Sequence, residues 1–60
     1  MKLISISDLK PFDVFLTKKS KLLVFGWHET DNTIIAFRYS DKYCTEVIKD
    51  TEQVYLMENL

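Results

Sequence analysis

Short runs of β-branched and aromatic residues alternate with short polar breaks along this chain, the spacing of a small all-β protein. Four runs have strand length: Val14 to Thr17, Leu22 to Trp27, Thr33 to Tyr39 and Tyr43 to Ile48. A fifth, Val54 to Met57, follows the polar stretch Lys49 to Gln53. The breaks carry turn chemistry. In Glu29-Thr30-Asp31-Asn32, Asp and Asn accept φ > 0 and can bond their own backbone, which predicts a tight hairpin between the second and third runs. Ser40-Asp41-Lys42 is again short and polar and continues an antiparallel meander, and Lys18-Lys19-Ser20 is a basic loop between the first two strands.

Upstream, Ser7-Asp8-Leu9-Lys10-Pro11 predicts one helical or 3₁₀ turn capped by Ser7 or Asp8. Pro11 prevents its continuation and Leu9 is its inward anchor. Leu3 to Ile6 is a candidate edge segment. One competing pattern covers residues 45–60: Cys44, Val47, Ile48, Thr51 and Tyr55 also lie at helical spacing, so a terminal helix is the alternative to the last two strands. Thr45, Val47, Ile48, Thr51 and Val54 are β-branched and Lys49-Asp50 interrupts the stripe, which favours strands.

Alternation divides the central hairpin. Leu23, Phe25 and Trp27 share one face of the second strand, and Ile35, Phe37 and Tyr39 share one face of the third. Leu22, Val24, Ile34 and Ala36 take the opposite faces, so both sides of the hairpin are apolar. A barrel has one interior, and the surplus points to a partner. Gly26, isolated inside a strand, predicts a bulge or a close backbone approach.

Sixty residues set the scale of a single domain spanning 1–60. A chain this short buries only about 60% of the surface its unfolded form exposes, so its large side chains must share one core or an interface. Apolar residues make up 47% and charged ones 28%, which excludes a disordered chain, and one Gly with one Pro leaves no linker. Cys44, the single cysteine, has no disulfide partner, which points to a reducing, cytoplasmic setting. The segment Met1 to Ile6 is too short and too polar for a signal peptide or a membrane span, so no membrane partner is expected.

The net charge of −1 conceals an uneven distribution. Up to Trp27, Lys2, Lys10, Lys18, Lys19 and Lys21 face only Asp8 and Asp13; beyond it, Arg38, Lys42 and Lys49 face seven carboxylates. Mutual attraction of the two halves across a folded sheet accounts for most of this.

Leu9-Lys10-Pro11-Phe12-Asp13-Val14-Phe15 resembles the lead-in of small SH3-like barrels, in which a short turn runs through Lys-Pro-Gly-Asp into the first strand. Asp50-Thr51-Glu52-Gln53-Val54-Tyr55-Leu56 looks like the turn and closing strand of the same fold. The resemblance implies an all-β, five-stranded SH3-like barrel with a short N-terminal helical turn. Phe12 stands where that pattern has glycine, and a phenylalanine is costly at φ > 0. The Ala-Leu-Tyr-Asp-Tyr segment and Trp-Trp pair of proline-binding SH3 domains are absent. In its size and composition the chain is similar in style to accessory proteins that bacteriophages encode to bind host factors.

Catalytic chemistry has little to work with. A triad or thiol enzyme would rest on His28 and Cys44 alone, on different strands. One His and one Cys cannot fill a tetrahedral metal site, and a single glycine excludes phosphate-cradling loops, so no cofactor or metal is expected. The residues instead suggest a non-enzymatic protein–protein interaction module, an inhibitor or adaptor acting on a host protein or a self-associating barrel. Trp27, Arg38, Tyr39 and Tyr43, of the types that dominate interface energetics, are the candidate contacts. The alternative is nucleic-acid binding, with Lys18, Lys19 and Lys21 supplying charge and Trp27, Phe37 and Tyr39 stacking on bases.

Overall fold

A computed structural model describes residues 2–57. Among them are six strands in one antiparallel sheet: β1 (Leu3–Ser5), β2 (Val14–Leu16), β3 (Leu22–His28), β4 (Thr33–Arg38), β5 (Thr45–Lys49) and β6 (Gln53–Leu56), in the order β1-β6-β2-β3-β4-β5. The all-β class and all five expected strands are present. The strand count differs, because the Leu3 edge segment forms its own ladder on β6, Leu3 opposite Tyr55 and Ser5 opposite Gln53. The sheet is open: β1 and β5 are its edges and no ladder joins them. The terminal helix is excluded as far as Leu56, where the β-branched residues prevail; residues 58–60 lie outside the described residues.

The open sheet is nonetheless rolled. β5 and β6 lie four positions apart in it, about 19 Å if it were flat. Only Asp50, Thr51 and Glu52 connect them, in a turn closed by the Glu52 N–H donating to the Lys49 carbonyl at 3.1 Å. Such a turn holds its ends within about 7 Å, so the sheet must curl until its two sides approach. The Glu52 carbonyl then accepts from the Ile6 N–H at 3.0 Å, tying the β5–β6 corner to the N-terminal turn.

That turn is a 3₁₀ helix over Ile6–Asp8. Its cap is Ser5, two residues before Ser7, rather than Ser7 or Asp8: the Ser5 hydroxyl accepts from the Ser7 N–H at 3.3 Å. The helix ends at Leu9, before Pro11 is reached, and Leu9 is buried as the inward anchor. The core inside the roll consists of Ile6, Leu9, Phe15, Leu23, Phe25, Ile34, Ala36 and Val54, closed by Ile4, Ile48 and Leu56. Burying each of its large members is worth about 1.5–3 kcal/mol.

The loops also differ in detail from expectation. Glu29 to Asn32 does make the β3–β4 hairpin, with the Glu29 N–H donating to the Thr33 carbonyl at 2.9 Å, yet neither Asp31 nor Asn32 has positive φ. A four-residue connection turns without it. Positive φ falls on Ser20, at 65°, in the five-residue β2–β3 connection, whose ends close with the Thr17 N–H on the Lys21 carbonyl, and on Phe12, at 75°. Phe12 thus takes a positive φ, which is costly for a phenylalanine.

Candidate interaction surface

The site is built from sheet register. Residues paired across antiparallel strands share a face, and a register shift between Phe25 and Trp27 changes which residues those are. Phe25 pairs with buried Ala36, but Trp27 pairs with Ile35, so the bulge at Gly26 carries Trp27 to the side away from the core. Trp27 therefore does not share a face with Leu23 and Phe25, contrary to simple alternation. It lies instead with Ile35 and Phe37.

This outer face is apolar through its middle and polar at its margins, where Thr45 ends the row of Phe37 and Thr33 pairs with Lys49. One row runs Trp27, Ile35, Val47; the next runs Val14, Val24, Phe37; a third runs Leu3, Tyr55, Leu16, Leu22. Trp27 is 48% exposed and Val47 67%. The Trp27 ring stands edge-on to Phe37 at 5.6 Å between centroids, and its indole N–H donates to the Glu29 carboxylate at 2.7 Å. Both contacts fix the orientation of a large aromatic that is half in water. Such a rigid, partly exposed indole is suited to contact a partner with little further loss of side-chain freedom.

The four expected contact residues do not form one patch. Tyr39 is exposed and extends the outer-face alternation from Phe37, its N–H on the Leu22 carbonyl at 3.1 Å. Arg38 lies on the opposite side, its guanidinium 3.3 Å from Glu46, which also binds the Lys21 ammonium at 3.0 Å. The Lys21 hydrogen bond, then that of Arg38, hold the Glu46 carboxyl below its ordinary range. A cavity of about 380 Å³ opens beside these three residues and Tyr39. Tyr43 stands 86% exposed in the β4–β5 turn, with the Lys42 ammonium 5.6 Å from its ring centroid.

Phe12 is the residue that sequence reasoning left out of the site. It is 85% exposed and its backbone is strained, while its N–H is anchored to the Phe25 carbonyl at 3.0 Å, one residue before Gly26. A non-glycine residue at positive φ costs about 1–2 kcal/mol, and a fully exposed ring returns nothing to the core. The departure from glycine in the lead-in was the available signal.

The basic residues gather elsewhere. Lys18 and Lys19 are exposed on the β2–β3 loop with Lys21 at its end. Lys21 and Trp27 are separated along β3 by roughly 20 Å, whereas Tyr39 lines the same cavity as Lys21. His28 and Cys44 are apart too: His28 pairs with Ile34 at the start of β4 and Cys44 meets Arg38 at its end, roughly 13 Å along the strand. The Cys44 thiol donates to the Asp41 carboxylate at 3.2 Å, which raises its pKa above the ordinary 9.0 and disfavours the thiolate.

No family model, curated protein or solved structure matches this chain. Among the described residues no group of three or more His, Cys, Asp or Glu is placed to hold a metal ion, and no helix is long and apolar enough to cross a membrane.

Proposed function

We propose that this domain is a non-enzymatic protein-interaction module, an inhibitor or adaptor that acts by occupying a surface of a partner protein. The observation that carries the reading is the register-built second apolar face, in which the bulge at Gly26 moves Trp27 out of the core side and into a row with Ile35 and Val47. A sheet that is apolar on both sides needs cover on both. Phe12 supports the same reading, since an exposed aromatic kept at φ 75° lowers stability without packing inside. The rolled sheet and the corner turn into β6 fit kinship with SH3-like barrels left partly open, a fold that hosts many binding modules. The style of a phage accessory protein aimed at a host factor agrees with this role.

The test is affinity capture with the intact chain beside Trp27→Ala and Lys18→Ala/Lys19→Ala forms, with sedimentation of the chain alone. A specific partner retained by the lysine variant and lost by Trp27→Ala supports the reading. Retention by Trp27→Ala, or an oligonucleotide as the sole captured species, overturns it. A concentration-dependent dimer lost in Trp27→Ala would make the partner a second copy.

A further inference from the structure

We infer that the free edge of β5 is a second docking site, which takes an extended acidic peptide as an added strand. Two bonds flanking the β4–β5 ladder fix its phase: the Arg38 N–H donates to the Cys44 carbonyl at 2.9 Å and the Asp50 N–H to the Asn32 carbonyl at 2.9 Å. Even-numbered residues of β5 therefore bond to β4, and the backbone of Thr45, Val47 and Lys49 points away from the sheet. The Lys49 carbonyl is taken by Glu52. The N–H and C=O of Thr45 and Val47 and the N–H of Lys49 have no strand partner among the described residues.

Edge strands are ordinarily blunted by shortness, proline, a bulge, charged side chains or a covering loop, and of these β5 carries only charge, on Glu46 and Lys49. β5 runs five residues with no proline and an unbroken register to β4, and Val47 on it is 67% exposed. Beside it lies a cavity of about 470 Å³. Its walls are residues 46–49 of β5 on one side and the β2–β3 loop with the start of β6 on the other. This is the arrangement used in β-strand addition, where main-chain bonds give affinity and alternate side chains give specificity.

Charge selects the occupant. Lys18, Lys19 and Lys49 line the cavity without an ion-pair partner among the described residues, because Glu46 is engaged by Lys21 and Arg38. Only Glu52 opposes them. Ile48, facing the core side, gives the alternate positions of an incoming strand an apolar neighbour. A strand alternating acidic and aliphatic residues meets both walls.

The probe is a synthetic heptapeptide of alternating Glu/Asp and Val/Ile, titrated into the full chain and followed by backbone amide NMR and hydrogen exchange. Its partner is the same peptide N-methylated at alternate residues. The expected result is shift and slowed exchange of the Thr45 and Val47 amides, lost with the methylated peptide, and weakening of at least tenfold by Lys18→Glu/Lys49→Glu. Val47→Pro removes an edge donor and an outer-face side chain but no ladder bond, so it keeps the sheet and abolishes binding; if that variant does not fold, the methylated peptide decides alone. Trp27→Ala retains peptide binding, which separates this site from the outer face. Unprotected Thr45 and Val47 amides, equal binding of the methylated peptide, or protection of those amides by a second copy of the chain overturns the inference.

Discussion

The ring edge of Phe37 and the Ile35 carbonyl oxygen together fill the space above Gly26, where a Cβ would lie 2.9 Å from the first and 2.7 Å from the second. Neither approach is one that a real Cβ makes, and the oxygen belongs to backbone that cannot swing aside. Gly26→Ala is therefore expected to destabilise the domain by about 1–3 kcal/mol, the cost of overpacking. Because the same glycine carries the bulge, the variant should also disturb the Trp27–Phe37 contact. Urea unfolding followed by Trp27 fluorescence reads both; an unchanged midpoint would show that the strand relaxes at no cost.

Phe12 leads to the opposite sign. Its φ of 75° suits glycine, and its side chain is 85% exposed. Relief of strain of about 1–2 kcal/mol, less the greater chain entropy of an unfolded glycine, leaves Phe12→Gly more stable by about 0.5–1 kcal/mol. In a domain of this size that raises Tm by several degrees. The same variant is expected to bind its protein partner more weakly. A gain in stability with undiminished binding would separate the strain at Phe12 from function.

How far the sequence disclosed this can be traced through single residues. Val54, Ile34 and Phe15 were legible because β-branched and aromatic runs bounded by polar turns specify strands, and all three lie in the core. The face of Trp27 was not, since one extra residue at a bulge inverts everything after it and only paired register reveals that. Arg38 was chosen by residue type, but its side follows from pairing with Leu23 and from Glu46, eight residues onward. Barrel closure was beyond reach, because whether the β1 and β5 edges of a curled sheet join depends on the path of the whole sheet and not on local pattern.

Glu46 links β5 to the β2–β3 loop and to β4, and its lowered pKa gives a pH signature. A carboxylate whose folded pKa lies below its ordinary 4.5 contributes stability above that value and loses it as pH falls through the folded pKa. Lys21 and Arg38 are half exposed, so the contribution at neutral pH is about 1 kcal/mol at most. Lys21→Gln should move the Glu46 midpoint, followed by carboxyl NMR, back toward its ordinary value. Arg38→Gln should move it less, because the Lys21 bond is the larger cause. No movement in the Lys21 variant would refute the pairing.

Cys44 and Asp41 shift each other in opposite directions. The thiol donates to the carboxylate at 3.2 Å, and that bond, reinforced by the Tyr43 N–H, lowers the pKa of Asp41; the same bond, followed by burial and the Asp41 charge, raises that of Cys44. The two signs define a window. The contact is complete above the ordinary Asp value of 3.8 and below the ordinary Cys value of 9.0. It is lost as pH falls through the folded pKa of Asp41 or rises through that of Cys44. Within the window the thiol stays protonated, and only the thiolate attacks electrophilic thiol reagents, so at pH 8 Cys44 should react more slowly than a free cysteine. Asp41→Ala removes the hydrogen bond that is the larger cause of the shift together with the charge, and should increase the rate several-fold. If the rates at pH 8 are equal in the two proteins, access rather than Asp41 governs the thiol.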